Sequence, residues 1–197
     1  MTAVPESEPL GPMTFDEFLI LEEAGELKHE LVDGFVYPWG ETDPATGLAG
    51  ASRRHNRIGF RIARLLGDAA DRAGCDVFGS DMLLRISDRL AYYPDVQLVC
   101  DPTDQHERYT ERPCLIVEVL SRRTARLDRG EKLTVYRRIP TLRAYLIVHQ
   151  DRRLIERHWR TDERDAWSEE GVTSGEVPIP CIDTALSLDA IYARSLP

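Results

Sequence analysis

The sequence predicts an α/β fold, a mixed β-sheet flanked by helices, because two kinds of segment alternate along the chain. The runs Pro113-Cys114-Leu115-Ile116-Val117-Glu118-Val119-Leu120 and Val96-Gln97-Leu98-Val99-Cys100 are short, apolar and rich in β-branched residues, as core strands are. Helical patterns lie around them. The longest covers residues 52–73, where Ile58, Ile62, Leu65, Leu66 and Ala69 form one apolar stripe. Strands and helices mixed in this order bury their apolar faces as a sheet covered by helices.

Each element has its own signal. Thr14 and Glu17 form a Thr-x-x-Glu capping box ahead of Phe15, Phe18, Leu19 and Leu21, which predicts a helix over 14–24 ended by Gly25. The Asp33-Gly34 step between apolar pairs predicts a β-hairpin over 28–37. Residues 38–50, rich in Gly, Pro, Thr and Asp, read as a loop. In the 52–73 helix, Arg53, Arg57, Arg61 and Arg64 run down a different face from the apolar stripe. Strands are expected at 76–86, 95–100 and 113–120, followed by a short helix at 128–138 that stops before Pro140. Two strands, 142–149 and 153–160, are joined by a turn at Gln150-Asp151. A strand at 176–179 and a helix at 185–194 complete the chain. Residues 1–12 read as a flexible N-terminal segment and 13–197 as one domain.

Composition bounds the function. At 197 residues, 42% hydrophobic and 30% charged, the chain has the make-up of a globular protein. No basic, apolar leader opens it, and no apolar run reaches the ~18 residues of a membrane span, so a cytoplasmic protein without a membrane partner is expected. Cys75, Cys100, Cys114 and Cys181 show no Cys-x-x-Cys or short Cys/His spacing. In a cytosolic chain they are expected to be reduced, each thiol packing as a small hydrophobe. The net charge of −9 is unevenly spread: residues 1–50 hold eleven acids and one lysine, whereas 121–143 hold eight basic residues against Asp128 and Glu131. The arginines at 53–64 add a second basic stretch. Such arginines commonly form a solvated helix face, but two basic stretches also suit a phosphate-bearing substrate.

Several enzyme classes lack support. There is no Gly-x-Gly-x-x-Gly and no phosphate-binding Gly-x-x-x-x-Gly-Lys-Ser/Thr. Gly-x-Ser-x-Gly is absent, and neither His29-Glu30 nor His106-Glu107 continues into His-Glu-x-x-His.

Glu118 stands alone among aliphatic residues, and Asp95 opens the preceding apolar run. An ionised carboxylate in a core strand costs several kcal/mol unless it is paired or bound to a cation. Neighbouring strands lie ~4.8 Å apart, so carboxylates level with each other can share one hard ion. An all-oxygen set favours Mg2+ or Mn2+, which can polarise a phosphodiester and activate water. Chemistry of that kind benefits from a lysine. Lys132 is the candidate, on a helix where Asp128, Lys132 and Tyr136 stand four apart.

Pro94-Asp95, Glu118-Val119-Leu120-Ser121 and Asp128-Arg129-Gly130-Glu131-Lys132-Leu133-x-x-Tyr136 together resemble the PD-(D/E)XK nuclease superfamily, and within it the bacterial Uma-two branch of restriction-endonuclease-like proteins. Glu30-Leu31-Val32-Asp33-Gly34, His55 and the strand from Arg143 to Val148 also fit that family, and the likeness spans roughly residues 13–160. The resemblance implies a restriction-endonuclease-like core and hydrolysis of DNA phosphodiester bonds. It implies that Asp95, Glu118 and the main-chain carbonyl of Val119 ligate Mg2+ or Mn2+. Glu30 would be the added acidic residue of the first motif, and Lys132 would assist the attacking water or the phosphate. The superfamily usually sets this lysine two residues after the glutamate. Here that position is Leu120, and the lysine moves to the helix. A homodimer acting on DNA is expected by analogy.

Other readings stay open. Glu118 also fits an ion pair with a nearby arginine, Asp95 a strand opening, Glu30 a hairpin surface and Lys132 a solvated helix. His55 and Tyr136 fit packing, and Tyr92 and Tyr93 a sheet edge. The rival function is a catalytically weak or inactive binding member of the same fold.

Overall fold

The structure, a computed structural model, describes residues 9–25, 27–39, 51–120, 128–161 and 166–195. One six-stranded sheet holds β1 (Gly11–Pro12), β2 (His29–Val32), β3 (Phe35–Pro38), β5 (Leu83–Ser87), β6 (Leu90–Tyr92) and β8 (Tyr109–Thr110), in the order β1-β3-β2-β6-β5-β8. A second holds β4 (Asp76–Gly79), β7 (Val96–Val99), β9 (Pro113–Leu120), β10 (Ala144–His149), β11 (Ile155–Arg160) and β12 (Trp167–Val172), in the order β12-β11-β10-β9-β7-β4. In this second sheet β9 and β10 run parallel and the other neighbours antiparallel. A separate hairpin pairs β13 (Glu176–Ile179) with β14 (Thr184–Ser187). The helices are α1 (Phe15–Ala24), α2 (Arg53–Ala73), a π-helical turn Asp128–Lys132 that runs into α3 (Leu133–Tyr136), and α4 (Leu188–Tyr192).

Strand alternation explains the layering, because successive side chains point to opposite faces. Leu31, Val36, Leu83 and Ala91 meet Phe15 and Phe18 of α1 on one face of the first sheet. Val32, Tyr37, Leu84 and Tyr92 point the other way, against Ile116, Leu120, Tyr145 and Ile147 of the second sheet. The second sheet's far face gives Val96, Leu98, Leu115, Val117 and Leu146 to Ile58, Ile62 and Leu66 of α2, with α4 and the β13–β14 hairpin closing the same core. The two sheets therefore pack face to face, with α1 outside one and α2 outside the other. Gln97, fully buried in β7, is satisfied by the Met82 carbonyl at 2.9 Å and the Thr110 hydroxyl at 2.7 Å.

The expected signals recur in detail. The Thr14–Glu17 capping box starts α1, with the Glu17 carboxylate accepting from the Thr14 N–H at 2.8 Å. The β2–β3 turn places Asp33 at φ 52° and Gly34 at φ 83°, the left-handed pair that a two-residue hairpin requires. A Cβ at Gly34 would lie 3.1 Å from the Arg89 guanidinium carbon, so a larger residue there would also have to shift that side chain.

Other expectations change. The run 76–86 is not one strand: Gly79, Ser80 and Asp81 turn the chain, and β4 and β5 enter different sheets. The 128–138 helix opens as a π-turn, and only Leu133–Tyr136 is α-helical. The 185–194 helix shrinks to Leu188–Tyr192 because its first turn pairs as β14. Gly11–Pro12, the end of the segment read as flexible, pairs with β3. β6, β8 and β12 are too short or too polar to announce themselves. The 38–50 loop lies beyond residue 39 outside the described residues, as do the basic residues 122, 123 and 126.

The cysteines are not free thiols. Cys75 pairs with Cys100 and Cys114 with Cys181, leaving no free cysteine among the described residues. Local spacing does not reveal these pairs, which are 25 and 67 residues apart. Sheet register makes the first: Asp76 pairs with Val99, so the next residues outward, Cys75 and Cys100, stand opposite each other. No helix among the described residues is long and apolar enough to cross a membrane.

Candidate active site

β7 and β9 are neighbours although β8 separates them in sequence. Val96 pairs with Val117, and continuing that antiparallel register by one residue sets Asp95 across from Glu118. Glu118 shares a face with Ile116 and Leu120, so its carboxylate enters the layer between the two sheets. It is only 4% exposed.

Three elements converge on it. The Lys132 ammonium, at the end of the π-turn, donates to Glu118 Oε1 at 3.1 Å and lies 3.6 Å from Glu30 Oε1 on β2. The Tyr136 hydroxyl of α3 donates to the same Glu118 oxygen at 2.9 Å. Lys132 Nζ also sits over the Tyr92 ring, 5.2 Å from its centroid. Glu30 and Lys132 are both buried. Beside them Glu131 accepts from the Tyr92 hydroxyl at 2.8 Å, and its Oε2 is buried with no hydrogen-bond partner among the described residues.

The electrostatics follow from this crowding. Burial pushes the Tyr136 hydroxyl far above its ordinary range, and the Glu118 and Glu30 carboxylates push it further, so it remains a neutral donor. Burial likewise raises Tyr92, with Glu131 adding to the shift. Glu131 is itself raised, first by burial, against the bond from Tyr92.

Asp95 is held from the opposite side of the sheet. Its Oδ2 accepts from the Val119 N–H at 2.7 Å, and its Oδ1 pairs with His55 Nε2 at 2.9 Å. His55 lies in the first turn of α2, where the Ser52 hydroxyl caps its N–H at 3.1 Å. Ser52 also donates to Gln150 Oε1 at 2.6 Å, and Gln150 Nε2 donates to the Leu120 carbonyl at 2.8 Å. The start of α2 is thereby stitched to the end of the strand that carries Glu118.

Glu30, Glu118 and Lys132 thus form one cluster, and Asp95 stands across the strand pair from Glu118. No group of three or more His, Cys, Asp or Glu converges at metal-ligand geometry among the described residues. Among the described residues, Lys132 is an ionic partner of Glu118. The Asp128 side chain lies outside the described residues. Tyr136, His55, Gln150 and Glu131 are the contacts that sequence reasoning left open or did not name. A buried tyrosine hydroxyl needs a partner, and Tyr136, four residues after Lys132, was the available signal. Tyr92 and Tyr93 are buried rather than offered to a ligand, with the Tyr93 hydroxyl bonded to Glu22 at 2.6 Å. Of the arginines on α2, Arg57 donates to the Arg194 carbonyl and Arg61 to the Ile191 carbonyl, so these two fasten the C-terminal segment.

A mixed sheet flanked by helices, with carboxylates and a lysine gathered at the ends of its central strands, defines a protein of the restriction-endonuclease-like class. Residues 15–190 match the model of the Uma2 family, described as "Putative restriction endonuclease", and the chain belongs to that family. It is 31% identical over 194 residues to the uncharacterized protein slr1290 of Synechocystis sp. (strain ATCC 27184 / PCC 6803 / Kazusa), covering 98% of this chain and 97% of the relative. The uncharacterized protein sll1609 of the same organism is 34% identical over 156 residues, covering 77% of this chain and 83% of its own. The fold is similar to the crystal structure of "a putative nuclease belonging to DUF820" from Anabaena variabilis ATCC 29413. The TM-score is 0.73 at 15% identity, over 94% of this chain and 100% of that one. Family and fold together point, at a coarse level, to a restriction-endonuclease-like nuclease.

Proposed function

We propose that the chain is a metal-dependent DNA endonuclease that hydrolyses phosphodiester bonds with Asp95, Glu118, Lys132 and Glu30. The observation that carries this reading is the buried cluster itself. Among the described residues, Glu30 and Glu118 meet the Lys132 ammonium between the two sheets, and Glu131 is buried beside them on the Tyr92 hydroxyl. Buried carboxylates are retained where something compensates them, and a divalent cation is one such partner.

The residues fit a hard divalent ion. Asp95 and Glu118 offer carboxylate oxygens from adjacent strands. The N–H and C=O of one strand residue point to the same side, so Val119, whose N–H reaches Asp95, directs its carbonyl to the same edge. An all-oxygen set of this kind suits Mg2+ or Mn2+. When bound, the ion supplies Lewis-acid polarisation of the phosphodiester and an acidified water. The chain's own residues do the rest. Tyr136 fixes Glu118, Glu30 holds Lys132 in place, and the Lys132 ammonium donates to the attacking water or to the charge growing on the phosphate. A homodimer would bring one such site to each strand of a duplex.

The test is titration of Mg2+ and Mn2+ by calorimetry on the wild type and on Asp95→Asn/Glu118→Gln, followed by cleavage of plasmid DNA. Binding and cleavage that both disappear in the double variant are expected. Wild-type protein that binds neither ion, alone or with DNA present, returns Glu118 to a structural ion pair and leaves the binding-module reading in its place.

A further inference from the structure

We infer that His55 is a positioning residue for Asp95: its Nε2–H fixes the carboxylate so that the remaining lone pairs face the cation. This inference rests on the proposed role of Asp95 as a metal ligand and adds a residue from a different element, α2, on the opposite side of the sheet.

Geometry gives three reasons. First, Asp95 precedes β7, outside the ladder that would otherwise hold it, and its hydrogen-bond partners among the described residues are two: the Val119 N–H on Oδ2 at 2.7 Å and His55 Nε2 on Oδ1 at 2.9 Å. Each oxygen receives one bond, so the carboxylate plane is set by two donors from different elements. Second, the imidazole and the carboxylate are both largely buried, with side chains 15% and 14% exposed. A carboxylate so enclosed cannot trade its donor for bulk water at no cost. Third, the backbone that carries the imidazole is anchored. The Ser52 hydroxyl accepts from the His55 main-chain N–H, and Ser52 and Gln150 tie that turn of α2 to the Leu120 carbonyl, two residues beyond Glu118. His55 and both proposed ligands therefore belong to one hydrogen-bonded frame.

Outer partners that orient metal-ligating side chains typically contribute 10–100-fold in metal affinity. The contact is made by Nε2, which gives the test its discrimination. The glutamine amide nitrogen can occupy the place of Nε2, whereas the asparagine nitrogen corresponds to Nδ1 and falls short.

The experiment titrates Mn2+ alone into the full chain carrying His55→Ala, His55→Asn or His55→Gln, beside the wild type and Asp95→Asn. Thermal unfolding in chelator is measured in parallel. His55→Ala and His55→Asn are expected to weaken Mn2+ binding by 10–100-fold, with His55→Gln recovering most of the loss. In cleavage assays the same variants should need more metal for half-maximal rate. The inference is overturned if His55→Ala binds Mn2+ as tightly as the wild type while Asp95→Asn does not, in which case Asp95 keeps its role. It is also overturned if glutamine is no better than asparagine, whether in affinity or in folding, since His55 then only packs. Equal Mn2+ binding by the wild type and Asp95→Asn removes the metal reading itself, and this inference with it.

Discussion

Lys132 is the residue on which the charge balance of the inter-sheet layer turns. Its ammonium faces Glu118 at 3.1 Å and Glu30 at 3.6 Å, and all three side chains are nearly out of solvent. Removing one partner of a buried ion pair leaves an uncompensated charge, at a cost of about 3–5 kcal/mol. Lys132→Met should therefore destabilise the metal-free protein by that amount. Glu118→Gln should cost less, because the Lys132–Glu30 pair survives it. Urea unfolding in chelator measures both, and equal losses would show that Lys132 carries no special charge burden. Glu118 was legible in the sequence because a charged residue in an aliphatic strand stands out against its neighbours. Glu30 and His55 stood out only through the family resemblance, and Gln150 did not. His55 and Gln150 are each unremarkable in their own segments and acquire a role only when α2, β9 and the turn after β10 meet.

At the scale of elements, the strands that show one uniform face to the core were easiest to read. β9, buried along nearly all its length, matches its expected range of 113–120. β12, with Glu169, Glu170 and Gly171 exposed, sits on the sheet edge and has no apolar alternation to betray it. The π-turn was equally hidden, since spacing alone cannot tell a five-residue turn from an α-helical one. That turn is tied to β11 through Arg129, whose guanidinium Nε donates to both Glu156 oxygens at 3.1 Å. The Arg129 bonds, opposed by partial burial and helped by His149, hold Glu156 at about 2, below its ordinary 4.5. A folded-state value below the unfolded one means that the unfolded chain binds protons first as pH falls. The contribution of Glu156 is therefore complete above pH 4.5 and disappears as pH falls towards 2. Wild type and Glu156→Gln, unfolded by urea across that interval, should converge in stability as the pH drops. A gap that stays constant would mean that Arg129 holds the π-turn without Glu156.

Across the whole molecule, the disulfides and the site occupy opposite ends of the second sheet. β7 carries Asp95 before its first residue and Cys100 after its last, and β9 carries Cys114 near its start and Glu118 near its end. Because the two strands are antiparallel, Asp95 and Glu118 meet at one end while both cysteines fall at the other. The cross-links thus tie β4 to β7 and β9 to the turn between β13 and β14, away from the carboxylates. Closing loops of 25 and 67 residues removes freedom from the unfolded chain, by about 3.5 and about 4.4 kcal/mol respectively on the chain-entropy estimate. The sequence hid this because the pairing depends on register and on where the last hairpin docks, neither of which cysteine spacing records. Reduction should consequently separate stability from function. A strong reductant is expected to lower the urea midpoint and the melting temperature markedly, while Mn2+ affinity measured well below melting stays close to that of the oxidised protein, since the carboxylate ends of β7 and β9 keep their hydrogen bonds to each other and to α2. The two quantities come from one sample, by unfolding and by calorimetry. A large loss of metal affinity in reduced protein that is still folded would mean that the cross-links set the spacing of β7 and β9 along their whole length.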